Sequence, residues 1–325
     1  MKNKKLLITG ATGFIGSHLT ELCVEKGYKV IAFDRYNSNY NLGNLENSKY
    51  KKDIEFIFGD IRDYDSVLKV SKKCDYIFHL AALIGIPYSY ESPLAYIKTN
   101  IEGTYNVLES SRNNNIEQTI ITSTSETYGS ARYVPIDEKH SLNGQSPYSA
   151  TKISADQLAK SYWDSFQLPV KIIRPFNTYG PRQSSRAVIP LIINQVLNNK
   201  KFIKLGNTNT SRDLTYVKDT CLAYLALLKT KKLFGQPVNV GSKNEYKIID
   251  IAKKIITKIN PKIKILKDKK RMRPLKSEVN RLVCNNKLIL KNTLWRPKTN
   301  FNKGLDLTIS WFKKNNFNFT DKYHI

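Results

Sequence analysis

The chain has 325 residues, 41% of them apolar, and a formal net charge of +26, which is enough non-polar side chain for one large core or two smaller ones. No apolar run approaches the roughly 20 residues of a membrane span. Met1-Lys2-Asn3-Lys4-Lys5 leads straight into a short strand rather than a signal peptide. Cys23, Cys74, Cys221 and Cys284 are scattered, with no C-x-x-C pair and no metal-like clustering with the four histidines. These features exclude a membrane span, a disulfide scaffold and a metal site, and they predict a cytoplasmic chain with reduced, buried thiols. Lys and Asn are spread along the whole chain with no nucleic-acid-binding module, so the charge reads as a solvated basic surface and no nucleic-acid partner is expected.

Lys4–Thr9 reads as a first strand, and Gly10-Ala11-Thr12-Gly13-Phe14-Ile15-Gly16 follows it directly, opening a helical pattern from Phe14 to Lys26. In that strand–turn–helix setting Gly10 makes the turn, Gly13 admits a pyrophosphate, and Gly16 lets helix and strand pack closely, with the helix N-terminus facing the anion. Lys29–Asp34 is a second strand. Asp34, eighteen residues after Gly16, can accept the ribose hydroxyls of NAD and would repel the 2′-phosphate of NADP, although Arg35 beside it is able to serve a phosphate. Ile54–Phe58 is a third strand, followed by Asp60-Ile61. Asp75–Leu80 is a fourth, ending in Leu80-Ala81-Ala82, small enough for a close approach of backbone to cofactor. A helix is predicted from Pro93 to Arg112, carrying Asn100, and a strand from Gln118 to Thr122.

Two clusters of reactive side chains come next. Ser123-Thr124-Ser125-Glu126-Thr127-Tyr128-Gly129 leaves the end of the Gln118–Thr122 strand, and Tyr148-Ser149-Ala150-Thr151-Lys152 opens a helix with Tyr148 and Lys152 on one face. An ammonium beside a phenol favours the phenolate, which makes a base able to take a proton from a sugar hydroxyl. Val170–Arg174 is a further strand. The Pro- and Gly-rich stretch from Pro175 departs from the sheet to build a lid up to Asp213. Val217–Lys229 reads as a helix, Gln236–Val240 as a strand, and Ile248–Ile259 and Phe301–Asn315 as amphipathic helices around the basic loop 271–278. The tail after Asn315 has no periodicity. The alternation predicts an α/β fold with a Rossmann-type, doubly wound parallel sheet and a smaller C-terminal substrate-binding domain. The expected division is 1–174 plus about 214–240 for the dinucleotide, and about 175–213 plus 241–325 for the substrate.

From about Leu6 to Phe312 the chain resembles the extended short-chain dehydrogenase/reductase family acting on nucleotide sugars, through Thr9-Gly-Ala-Thr-Gly-Phe-Ile-Gly16 and the Thr124, Tyr148, Lys152 set. The resemblance implies bound NAD, with contacts from Gly10, Thr12, Gly13, Phe14, Ile15, Gly16, Asp34, Arg35, Asp60, Ile61, Leu80, Ala81, Ala82, Asn100, Thr122, Tyr148 and Lys152. It also implies a nucleotide-sugar substrate met by Asn177, Arg182, Val188, Arg212 and Arg273, and a homodimer through the Pro93–Arg112 and Tyr148–Phe166 helices.

Thr124-Ser125-Glu126 is similar to the 4,6-dehydratases, with Thr124, Ser125, Glu126, Tyr148 and Lys152 as the catalytic set. In that reading Tyr148 takes the C4 hydroxyl proton and Glu126 the C5 proton. Ser125 stands where dTDP-glucose dehydratases carry the Asp that helps the C6 hydroxyl leave, which leaves the general acid open. The run Arg182–Pro190 resembles the dehydratases that act on GDP- or UDP-N-acetylglucosamine at the start of legionaminic acid synthesis. UDP-glucuronate decarboxylase and nucleotide-sugar 4-epimerase stay as alternatives on the same fold.

Overall fold

The computed structural model describes residues 3–198 and 201–315; Met1 and the tail after Asn315 lie outside the described residues. Six strands, β1 (Lys5–Thr9), β2 (Lys29–Arg35), β3 (Ile54–Gly59), β4 (Tyr76–His79), β5 (Gln118–Thr122) and β6 (Val170–Pro175), join Pro237–Val240 in one seven-stranded sheet. Every pairing in it is parallel, and the order runs Pro237–Val240, β6, β5, β4, β1, β2, β3. The strand order reverses beside β1, so the crevice outside the carboxyl ends of β1 and β4 is where such a sheet takes a ligand.

Successive side chains of a strand face opposite sides. Leu6 and Ile8 accordingly pack with the helices Phe14–Glu25 and Val217–Lys229, while Leu7 packs with Gly103–Asn113 and Pro147–Phe166. Both faces of the sheet are therefore covered, which explains why its strands read as apolar runs rather than alternating ones.

Two of the predicted elements have a different form. The helix expected over Pro93–Arg112 is broken into Pro93–Tyr96, a π-helical stretch Ile97–Glu102, and Gly103–Asn113. The lid expected up to Asp213 contains regular structure: the helix Val188–Asn198, whose apolar face packs on Ile248–Ile259, and the strand Phe202–Leu205 paired with Lys264–Lys267. Ser211–Asp213 lies between Glu245–Lys247 and Arg281–Leu282 in a small three-stranded sheet. Asp213 is fully buried there and accepts from Ser242 N, Ser242 Oγ, Lys243 N and Cys284 N. Among the described residues no helix is long and apolar enough to cross a membrane.

The glycine loop depends on a close approach. A Cβ on Gly16 would fall inside the van der Waals shell of Gly10 O. Gly16→Ala should therefore cost about 1–3 kcal/mol, the range for overpacking a tight contact, read as a lowered denaturation midpoint. A variant as stable as the wild type would show that the turn yields freely.

Candidate active site

The carboxyl ends of β1 to β4 carry the expected cofactor residues. Gly10 has φ +68°, and a Cβ on it would stand 2.8 Å from Ala81 N, so the turn lies against Leu80-Ala81, with Ala82 following half-buried. The amides of Leu80 and Ala81 donate to Thr9 Oγ1 (3.2 and 3.1 Å). Thr9 Oγ1 then donates to His79 Nδ1 (2.8 Å), His79 Nε2 to Thr104 Oγ1 (3.3 Å), and Thr104 Oγ1 to Asn100 O (2.7 Å). Burial pushes His79 down to about 3, so the imidazole is neutral and the chain of donors keeps one direction. Asn100 accepts from Leu83 N (2.9 Å) and donates to Leu83 O (3.0 Å) and Thr151 Oγ1 (3.1 Å). It therefore ties the β4 loop to the Tyr148 helix, and it does so from within the π-helical stretch.

The helix Phe14–Glu25 has no side-chain cap at Gly13, so its first amides, at Phe14, Ile15 and Gly16, are available to an anion. Asp34 Oδ2 accepts from Thr12 N (2.9 Å) and Thr12 Oγ1 (2.5 Å), and Oδ1 from Arg35 N (2.8 Å). The Arg35 side chain itself is exposed. Arg62 holds Asp60 by hydrogen bonds of 2.5–3.1 Å, which keeps that carboxyl below its usual range, and Ile61 O accepts from Asn106 Nδ2 (2.9 Å). An uncapped helix start beside a carboxylate fits a dinucleotide.

The Tyr148 helix starts where its sequence says it should. Ser146 caps it in a reciprocal box with Ser149, and Pro147 occupies the first turn. Tyr148 is buried against Ile86 and Tyr96, with the two tyrosine rings 6.3 Å apart at 82°. Lys152 Nζ donates to Thr122 O (2.5 Å), and Thr122 Oγ1 pairs with the Tyr224 hydroxyl (2.8 Å). Thr124 accepts from Glu126 N (3.2 Å) and so caps the 3-10 turn Ser125–Tyr128, with Ser125 buried at 2% exposure.

The sequence expectation that an ammonium favours the Tyr148 phenolate needs correction. Burial dominates and lifts the phenol above its ordinary range, with the Thr124 hydroxyl opposing and the Glu126 charge adding to the rise. Burial likewise pushes Lys152 down to about 8, against the pull of Asp156.

Arg212 and Arg273 converge beyond Glu126. Arg273 Nη1 lies 3.9 Å from Glu126 Oε2 and Arg212 Nη2 lies 4.0 Å from Glu278 Oε1. The Arg273 loop is held down by Gln145 Nε2 donating to Lys276 O (2.8 Å), Ser130 Oγ donating to Glu278 O (3.3 Å) and Tyr90 OH paired with Ser277 Oγ (2.5 Å). Asn177 Oδ1 is buried without a hydrogen-bond partner, and Val188 begins its helix half-buried. Arg182 does not join this group. Its guanidinium is engaged by Glu21 on the cofactor helix (3.0 Å) rather than open to a diphosphate.

Sequence reasoning missed Asp156 and Arg174, which form a buried ion pair beneath the site. The signals were there: Asp156 is one helical turn past Lys152, and Arg174 is a charge inside an apolar strand.

The depressed pKa of Lys152 has a consequence for stability. The group releases its proton near 8 when folded and near 10.5 when unperturbed. Between those values the unfolded chain binds more protons, so this contribution to stability rises with pH and is least favourable below 8. The unfolding free energy of Lys152→Met minus that of the wild type should therefore fall as pH rises from 8 to 10 in denaturant titrations. A flat difference would mean an ordinary lysine.

Residues 7–308 match the family described as GDP-mannose 4,6 dehydratase. A dTDP-D-glucose 4,6-dehydratase of Dictyostelium discoideum is 35% identical over 268 residues, covering 78% of this chain and 62% of the relative, so the alignment spans about three-fifths of that protein. A putative UDP-glucose 4-epimerase of Methanocaldococcus jannaschii is 32% identical over 316 residues, covering 96% of this chain and 99% of the relative. The dTDP-glucose 4,6-dehydratase DesIV of Streptomyces venezuelae, solved with NAD bound, superposes with a TM-score of 0.87 at 26% identity, over 96% of this chain and 97% of that one. With the glycine loop, the Tyr148–Lys152 helix and a family match over nearly the whole length, the chain belongs to the GDP-mannose 4,6 dehydratase family.

Proposed function

We propose that the protein is an NAD-dependent nucleotide-sugar 4,6-dehydratase, a hydro-lyase that converts an NDP-hexose to its 4-keto-6-deoxy form. The observation that carries this reading is Glu126, a carboxylate close enough to act on the Tyr148 phenol, positioned by the Thr124 cap and faced by Arg273. NAD, when bound, supplies the chemistry of taking hydride from C4 and returning it at C6. The glycine loop and its helix start receive the pyrophosphate, and Asp34 receives the ribose hydroxyls. Tyr148 takes the C4 hydroxyl proton as its phenolate, a form that burial disfavours and that the Thr124 hydroxyl helps by lowering the proton affinity of the phenol. A ketone at C4 acidifies the C5 hydrogen, which Glu126 removes as water leaves C6; Ser125 lies at the place of the acid that assists the departure. Arg212 and Arg273 suit the substrate diphosphate because a planar guanidinium pairs with two phosphate oxygens.

For the substrate we favour GDP- or UDP-N-acetylglucosamine, at the start of legionaminic acid synthesis, on the run Arg182–Pro190. Relatives named for dTDP-glucose and UDP-glucose define the rest of the test panel. We assign the dinucleotide to 1–174 plus about 214–240 and the sugar nucleotide to the remainder, in a cytoplasmic enzyme whose four cysteines are free thiols. A homodimer is supported by Leu94, Ile97 and Tyr105, which are 61%, 47% and 45% exposed along one helical run. Ile97→Glu should shift the protein from dimer to monomer in light scattering. The full-length epimerase relative makes 4-epimerisation the second reading.

Deuterium placed at C4 of the substrate separates the two readings. A dehydratase yields product labelled at C6 and, in heavy water, deuterium at C5. Label returned to C4 would establish the epimerase. Glu126→Gln should still bind sugar nucleotide yet lose dehydration by about 10²-fold or more, and near wild-type turnover would reduce Glu126 to a loop residue.

A further inference from the structure

The segment 181–188 is anchored at its start to the cofactor helix and brings Arg186 beside Gly85 and Tyr96. At its start, the Arg182 guanidinium makes two 3.0 Å contacts with the Glu21 carboxylate, Nη2 to Oε1 and Nη1 to Oε2, with the two side chains only 18% and 20% exposed. His18 Nε2, one turn before Glu21, donates to Pro181 O (3.0 Å). Burial pushes His18 down to about 4, so it is neutral and its Nε2 carries the proton this bond needs. Arg182 has a backbone φ of +68°, a region that side-chain-bearing residues enter only where the surroundings over-determine them. The ion pair and the histidine bond supply that determination.

At the other end, Arg186 Nη1 lies 3.9 Å from where a Cβ on Gly85 would be, beside Tyr96, whose ring packs edge-on against Tyr148. Ser184 ties the turn between the two arginines by accepting from Ala187 N at its carbonyl (3.0 Å). Among the described residues no carboxylate lies within ion-pair distance of Arg186, so an exposed cation points at the catalytic tyrosine cluster with its donors unspent.

We propose that Glu21 and Arg182 are a positioning pair through which the cofactor helix holds the 183–188 segment over the sugar site, and that the segment presents Arg186 to an acceptor oxygen on the hexose. Arg186 meets the hexose rather than the diphosphate because it stands on the Tyr148 side of the site, whereas Arg212 and Arg273 gather beyond Glu126. The assignment of Arg186 rests on the nucleotide-sugar reading above; the positioning pair does not.

The test separates the two. Under native conditions trypsin cleaves after Arg186 only when the segment opens, at a rate set by the open population. Glu21→Gln should raise cleavage at Arg186 about 10-fold relative to other sites, scored by mass spectrometry, while the NAD content of the purified protein stays at the wild-type level. Arg182→Lys keeps a cation opposite Glu21 and should retain most of the protection, whereas Arg182→Gln should lose it and supplies the comparison if Glu21→Gln proves too unstable.

Binding is then titrated on NAD-loaded protein with GDP-N-acetylglucosamine, UDP-N-acetylglucosamine and dTDP-glucose as probes. Glu21→Gln and Arg186→Ala should each weaken the probe that binds by about 10-fold, and the double variant should be no weaker than Arg186→Ala alone, because both changes remove one shared interaction. Unchanged cleavage at Arg186 in Glu21→Gln overturns the positioning pair. Wild-type affinity in Arg186→Ala, or additive losses in the double variant, overturns the assignment of Arg186 as the group it positions. A wild type that binds none of the three probes, with cleavage still raised in Glu21→Gln, counts against the nucleotide-sugar reading while upholding the pair.

Discussion

The geometry of the site depends on one buried ion pair. Asp156 and Arg174 have side chains 1% and 3% exposed. A single oxygen, Asp156 Oδ2, accepts from Arg174 Nε (2.9 Å), Arg174 Nη2 (2.8 Å) and Ser123 Oγ (2.7 Å). Charges taken this far from water gain little net stability even when paired, but losing one partner leaves the other stranded. The pair therefore acts less as glue than as a fixed point, joining the end of β5, the strand β6 and the Tyr148 helix. From it, Arg174 Nη1 donates to the Tyr128 hydroxyl (2.9 Å), Tyr128 to Asn239 Oδ1 (2.7 Å), and Asn239 N to Glu138 Oε1 (2.8 Å), which brings in the edge strand. Thr124 is the next residue after Ser123, Glu126 shares a turn with Tyr128, and Lys152 is one turn before Asp156. Thr124, Glu126 and Lys152 thus lie within a few residues or a helical turn of the same network, and Tyr148 lies one turn beyond Lys152.

Burial then sets the chemistry. A dry pocket favours the neutral form of both a phenol and an amine, so it raises Tyr148 and lowers Lys152. Two further positive charges of the site, Arg212 and Arg273, gather beyond Glu126. Arg212 is itself drawn down by burial and drawn up by Glu126. Glu126 stands between the two regions, close to a phenol on one side and a guanidinium on the other. An anionic substrate entering past the arginines would thus bring its sugar toward a neutral phenol and an ammonium that keeps its proton up to about pH 8.

The family resemblance and the geometry divide the problem between them. Relatives of comparable identity are named as dehydratases and as a 4-epimerase, so similarity along the chain does not by itself separate the two activities. On the proposed reading, what separates the two chemistries is the side chain that follows Thr124 at position 126. The carboxylate at 126 is the feature that an oxidation followed by elimination requires and a simple inversion at C4 does not.

Much of this was legible in one dimension, for reasons of range. The glycine turn and the Tyr148 helix are local devices whose residues are close in sequence, and the structure has the turn and the helix at those residues. The parallel sheet was legible too, because strands buried on both faces must be apolar throughout. The fate of Arg182 was not, since an arginine reads the same whether its partner is a phosphate or Glu21, 161 positions earlier in the chain. The break in the Pro93–Arg112 helix was not legible either: its π-helical stretch carries Asn100, whose partners Leu83 and Thr151 lie outside the helix. The pKa values of Tyr148 and Lys152 escaped as well: motif spacing records which groups are adjacent, whereas desolvation depends on everything that packs around them. Sequence alone determined which reactive groups the chain carries and on which elements. The tertiary structure decided which of them meet and how dry their surroundings are, because contact and burial are properties of the packed chain as a whole.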